Sequence, residues 1–213
     1  MRTRFLAIVL AAFAAAALAA PAIAAPPAPA PHDGDKGKWI EPPKKLPNVR
    51  LDNREHNLDF LFGALKAAPD DETAKAVEQR IWAMWVHSPS DTTNLLMLRV
   101  QKAIEAKDLD LAVKLLDAIV KIKPDYVEGW NRRATIYYMK HEYGRSLADI
   151  RQVLKLEPRH FGALTGLGLI LQDIGDVKEA LEVYRRALKI YPRLKRIPDI
   201  VKKLSEEVEG RDI

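Results

Sequence analysis

The 213-residue chain has no cysteine. That excludes disulfides, thiolate nucleophiles, cysteine-ligated zinc and a lipid carried on a lipoprotein cysteine, so stability must come from packing alone. Aromatic residues are sparse, at 7 %. Catalytic constellations are missing as well. The histidines (His32, His56, His87, His141 and His160) are scattered, and no pair frames a glutamate at the helical spacing that zinc hydrolases use. His141 opens a turn between helices and reads as solvated, while His160 sits in a loop where it can bond a backbone group. Gly166 and Gly168 fall inside a helical pattern instead of a strand-to-helix turn, so they read as packing glycines and not as a phosphate loop. Glu206 and Glu207 are adjacent carboxylates on a tail with no cleft around them. No enzyme, cofactor or metal is expected. The 34 basic residues against 29 acidic ones give a mild net charge of +5. Their signs alternate as on solvated helix faces, which argues against nucleic acid as the partner.

The first 24 residues read as a targeting segment. Arg2 and Arg4 precede an apolar run from Phe5 to Ala20, and Ala22-Ile23-Ala24 offers small residues where a signal peptidase cuts. Cleavage after Ala24 is expected, leaving a periplasmic protein with no stable membrane insertion. The rival is a retained anchor, against which stand the weak hydrophobicity of alanine and the break at Pro21. The two arginines are not adjacent, so this is not a twin-arginine signal. Residues 25–54 then hold half of the fourteen prolines (Pro26, Pro27, Pro29, Pro31, Pro42, Pro43 and Pro47). Such a stretch reads as a flexible tether. Trp39-Ile40 is its apolar handle, either lying against the first repeat or serving as a binding epitope.

Pro89, Pro124, Pro158 and Pro192 stand 35, 34 and 34 residues apart. A period of that length marks an array of stacked helix pairs. Each unit reads as helix, turn, helix, proline, with units near 58–91, 93–126, 127–160 and 161–194. Leu109, Ala112, Val113, Leu116, Ile119 and Val120 form an i, i+3, i+4, i+7 stripe, and Val177, Ala180, Leu181, Tyr184, Ala187 and Leu188 repeat it. Asp108 and Asp176 stand where a carboxylate caps the second helix, and Gly175 suits a left-handed turn before it. Residues 195–213, with Ile197, Ile200, Val201, Leu204 and Val208 at helical spacing, form a capping helix and tail.

At these positions the chain resembles the tetratricopeptide repeat (TPR) family. The fourth motif place holds Leu61, Leu96, Trp130 and Leu164, the eighth Leu65, Val100, Ala134 and Gly168, and the twentieth Val77, Ala112, Ser146 and Ala180. The fourth unit matches best; the first, with Trp82 and Trp85 on its second helix, is degenerate. The resemblance implies an all-α fold, a right-handed α-solenoid of about four helix hairpins plus a C-terminal capping helix. A narrower likeness over Glu128 to Leu171 is to exported alphaproteobacterial repeat proteins linked to cell-envelope integrity, which implies a periplasmic, envelope-related role.

The family geometry turns first helices toward a concave groove. There it would place Asn94, Met97, Gln101, Ile104, Glu128, Asn131, Thr135, Tyr138, Gly162, Thr165, Leu169 and Gln172. This mixture of amides, hydroxyls and apolar groups suits an extended peptide or partner helix. Arg99 and Arg133 fall on a motif place that is usually apolar, and Arg133 is expected to pair with Asp149 or Glu157 and fix register. The favoured function is thus a non-enzymatic adaptor for a protein or peptide of the envelope. The alternatives are an accessory factor or enzyme of peptidoglycan metabolism, and a self-associating structural array that forms homo-oligomers.

Overall fold

The computed structural model describes residues 38–47 and 54–210. The expected signal segment, most of the expected proline-rich tether and the last three residues lie outside these. Among the described residues the chain forms nine α-helices and no strand: α1 (Arg54–Ala67), α2 (Asp71–Val86), α3 (Asp91–Glu105), α4 (Leu109–Ile122), α5 (Val127–Met139), α6 (Tyr143–Leu156), α7 (Phe161–Asp173), α8 (Val177–Ile190) and α9 (Ile197–Val208). Four hairpins and a capping helix are therefore present.

Local chemistry starts the helices where the sequence places them. Asp70, Ser90, Asp108 and Asp176 each accept a backbone N–H three residues on, to Thr73, Thr93, Leu111 and Glu179. These bonds satisfy donors that a first turn leaves free. The turns inside the three later hairpins repeat one geometry. Lys107, His141 and Gly175 stand 34 residues apart and all have positive φ (60°, 58° and 86°). The next amide in each case bonds back five residues, Asp108 to Ala103, Glu142 to Tyr137 and Asp176 to Leu171, all at 2.8 Å. This closure satisfies orphan carbonyls at the end of the first helix. Only the third turn uses the residue that tolerates the conformation without strain.

Hairpins α3–α4, α5–α6 and α7–α8 stack in order, α4 on α5 and α6 on α7, and α9 closes the series on α8. Small residues admit the close approaches. A Cβ on Gly168 would come within 2.4 Å of the Tyr184 ring, so the glycine admits that ring. Ser146 is fully buried and its hydroxyl donates to the Ala134 carbonyl at 2.7 Å.

The first hairpin is placed differently from the expected stacking order. Instead of continuing the stack on α3, it turns back, with α1 against α8 and α2 against α5. Its apolar face, including Leu61, Phe62, Leu65, Ile81, Trp82 and Trp85, joins one core with Phe161, Leu164, Tyr184, Tyr191 and Ile197. The physical reason is size. Trp82 and Trp85 are too large for a tight helix-on-helix seam of the repeat kind, but they fill the hollow that curved stacking leaves.

Candidate functional site

The concave face is lined by α3, α5 and α7, and two of the chain's own segments lie across it. Trp85 stacks on the His160 ring (centroids 4.0 Å, planes 16° apart), and Trp82 meets Phe161 edge-on at 5.5 Å. Residues 38–47, a strap with no regular secondary structure, cover the remainder of α5 and α7. Trp39 lies 5.6 Å from the Tyr138 ring and over Gly166. The Ile40 carbonyl passes close above Gly162.

The expected groove residues divide accordingly. Glu128, Asn131, Thr135, Gly162, Thr165 and Leu169 are buried, and Tyr138 and Gln172 are half-buried. The groove at α5 and α7 is thus filled and not open, because the strap and α2 supply the apolar cover that these helices lack. Thr135 and Thr165 turn their hydroxyls back to the carbonyls of Asn131 and Phe161. Gln172 accepts from the Tyr184 hydroxyl at 2.7 Å. Asn94 clasps the loop before α3, accepting from the Ser88 amide at 3.1 Å and donating to its carbonyl at 2.8 Å.

A polar ribbon runs beneath the cover. The fully buried Glu128 carboxylate accepts from Arg132 Nε and from Asn131 Nδ2, both at 3.1 Å. Arg132 also donates to Gln101 at 3.2 Å, and Gln101 to Glu105 at 2.9 Å. His160 Nδ1 accepts the Ala163 amide at 3.0 Å and caps α7, so on a neutral ring the proton sits on Nε2, 3.6 Å from Glu128. That nitrogen and Asn131 Oδ1 are buried without a hydrogen-bond partner among the described residues. Burial pushes the Tyr138 phenol well above its ordinary range. Tyr143 is pushed up to about 12 by burial and by its bond to Asp173. These phenols are neutral donors here, not bases.

A cleft of about 780 Å³ stays open between the strap, the end of α2 and α3. Pro42, Pro43, Leu46, Met97, Leu98 and Gln101 are among its walls, and Leu98 is 63 % exposed. No group of three histidine, aspartate or glutamate side chains among the described residues is placed to hold a metal ion. No helix among them is long and apolar enough to cross a membrane.

Two polar clusters lie outside the groove. Arg133 grips Asp149 with two bonds, Nε at 2.7 Å and Nη2 at 2.8 Å, and reaches Asp117 of the preceding hairpin at 2.7 Å. Its guanidinium lies 4.9 Å over the Trp130 ring. The Asp149 bond comes first in holding the Arg133 pKa above its ordinary value. Glu157 is not its partner. Glu157 turns back on its own loop and holds Arg159, which reaches Asp59 on α1. Arg99 is exposed. Sequence reasoning singled out Trp39 but set it against the first repeat or left it as an epitope, where the structure seats it on Tyr138 and Gly166, and it missed Gly166, Trp82, Trp85 and Arg132 as parts of this surface. The signal for Gly166 and Trp39 was a glycine inside a helix and an isolated indole in a proline-rich run.

A tetratricopeptide repeat family model matches residues 131–194. A TPR repeat-containing protein of Rhizobium etli is 41 % identical over 156 residues, covering 73 % of this chain and 76 % of that protein. The first TPR domain of Spaghetti (RPAP3), solved with an HSP90 peptide, superposes with a TM-score of 0.53 at 18 % identity, over 58 % of this chain and 98 % of its own. The TPR2B domain of yeast Sti1 in complex with pHsp70 gives 0.51 at 18 % identity, over 55 % and 99 %. At these identities the two structures speak for the fold alone.

Proposed function

The chain belongs to the tetratricopeptide repeat family, and on that premise we propose that it is a non-enzymatic adaptor holding an extended segment of a partner protein on its concave face. The observation that carries this reading is the open cleft beside α3. It offers apolar walls from Met97 and Leu98, beside a Gln101 amide that Arg132 and Glu105 hold in place, so what it offers an extended peptide is first of all burial of its side chains. Similar folds hold peptides in the Spaghetti and Sti1 structures, which supports the same mode here. The apolar N-terminal run ending in Ala22-Ile23-Ala24 supports export to the periplasm, where the partner would be an envelope protein and the role support of envelope integrity.

The test is photocrosslinking in living cells with benzoylphenylalanine at Met97 and, as a control, at Lys121 on the exposed side of α4. A discrete adduct at position 97 that is missing at position 121 is the expected result. No adduct at 97, or the same adducts at both places, rejects the cleft. Fractionation of the same cells tests location: recovery in the cytoplasm with residues 1–24 attached rejects export.

A further inference from the structure

The adaptor reading leaves the α5–α7 part of the concave face unexplained, because the chain itself covers it. Three observations on that cover point one way. First, the slot is shaped for an indole. Gly166 lies inside α7, and a Cβ there would come within 2.3–2.5 Å of three Trp39 ring atoms, so the missing side chain is what admits the ring. Tyr138 closes the other side at 5.6 Å, and Trp39 packs against the apolar cluster that includes Ala134, Ala163 and Ile170. Second, the occupant is an extended peptide. Residues 38–47 read Lys-Trp-Ile-Glu-Pro-Pro-Lys-Lys-Leu-Pro and carry no regular secondary structure. They run from α7, at Trp39, to the cleft of α3, where Leu46 and Pro47 lie. Proline-rich chain is already extended before it binds, so little order is lost on seating. Third, the seat is made by packing alone. No hydrogen bond or ion pair joins residues 38–47 to another described residue, and the buried Trp39 Nε1 has no partner. A seat without hydrogen bonds or ion pairs has no directional contact to break when a second segment of the same kind enters.

We propose that the Gly166–Tyr138 slot is a recognition site for a tryptophan carried by an extended segment of the form Trp–aliphatic–acidic–Pro–Pro, and that residues 38–47 are a tethered copy of that ligand which a partner's segment displaces. The inference rests on the adaptor reading and supplies the ligand chemistry for its second subsite. Entry of the partner's indole frees the strap, and freeing the strap widens the α3 cleft, whose wall Pro42, Pro43 and Leu46 form. The two subsites are therefore coupled through one segment: its affinity in cis sets how strongly a partner must bind.

The probe is the synthetic decapeptide of residues 38–47, labelled with a fluorophore and titrated into the full chain. Trp39→Ala is expected to bind it, with wild type at least tenfold weaker because its slot is filled. A peptide with alanine at the tryptophan should bind neither. Gly166→Leu added to Trp39→Ala fills the slot and should abolish binding while helical content by circular dichroism stays intact. Equal binding to wild type and Trp39→Ala, no binding to a folded Trp39→Ala, or binding that survives Gly166→Leu would overturn the proposal. Should Trp39→Ala lose its helices, wild-type chain with 5-fluorotryptophan at position 39 gives a second readout. Excess peptide then moves that fluorine resonance to its solvent-exposed position if the slot exchanges ligands, and an unmoved resonance rejects it. Failure here with a persisting crosslink at Met97 would remove the indole slot and leave the adaptor reading standing.

Discussion

Hairpins α1–α2 and α7–α8 share one core, yet they are held in it by different means. In α7–α8 the seam is set by complementarity of small and large groups: Gly168 admits Tyr184, and Ala180 and Ala187 let the helices approach. In α1–α2 the seam is set by bulk, with Trp82 and Trp85 filling a hollow, and by side-chain clasps at its rim. Arg193 reaches Asp71 at 3.0 Å and the Ala68 carbonyl at 3.0 Å, Arg159 reaches Asp59, and Tyr191 donates to Glu78 at 3.1 Å. The stacked hairpin depends on its neighbours in the series. The docked one depends on the curvature of the whole series, because the hollow exists only once three units are stacked.

The sharpest way to break that contrast is Trp85→Ala. Removing a buried indole should cost about 4 kcal/mol. Because the loss falls on the docked seam, hydrogen exchange should show α1–α2 losing protection while α4 to α8 keep theirs. Uniform loss would mean that the two kinds of seam form one cooperative unit.

Arg133→Met attacks the stacked series instead. It strands Asp149, which is 4 % exposed, without its guanidinium and unties α5–α6 from Asp117 on α4. A cost of about 3 kcal/mol is expected in urea denaturation. An unchanged midpoint would show that the ion pair does not set register.

Alkali should separate the two seams next. Burial, followed by the neighbouring Glu78, raises the Tyr191 phenol above its ordinary value of 10.0. The fold favours the neutral form, so this contribution is whole below pH 10 and is lost as pH climbs toward the raised value. Above pH 10 the slope is about 1.4 kcal/mol per pH unit for this group. An ionised Tyr191 would also face Glu78, so tryptophan fluorescence from the docked hairpin should change before helical content does. Tyr191→Phe should remove that early phase, and its persistence would place the alkaline trigger elsewhere.

The smallest effect lies in the turns. Lys107 and His141 hold the left-handed geometry that Gly175 holds without strain. Lys107→Gly and His141→Gly should each stabilise the stacked series by about 0.5 kcal/mol, read as a higher urea midpoint. A loss in both would mean that their side chains do more for the turn than the backbone strain takes away.

Much of the stacked series was legible in the residues. Apolar stripes, Asp108 and Asp176 as caps, and Gly175 as a turn residue are local features, and helix formation answers to local features. Asp149 was named among the partners of Arg133 because its carboxylate stands one helix away in the same hairpin. Asp117 was missed, since inter-hairpin pairs depend on the stacking angle. Glu157 was misassigned because a glutamate at a helix end can reach either neighbour, and only the turn at Pro158 decides which. The cover over the groove was the least legible. Trp39, Trp82 and Trp85 carry no period that tells a filler of hollows from an ordinary core residue.

By itself the sequence determined the units, their length, their caps and the choice of helix throughout, because each rests on contacts within about one turn or one hairpin. Only the tertiary structure decided that the concave face is largely occupied. That outcome needs residue 39 to find residue 166 and α2 to find His160. Such long-range matches are set by the curvature of the finished array, which no short stretch of sequence encodes.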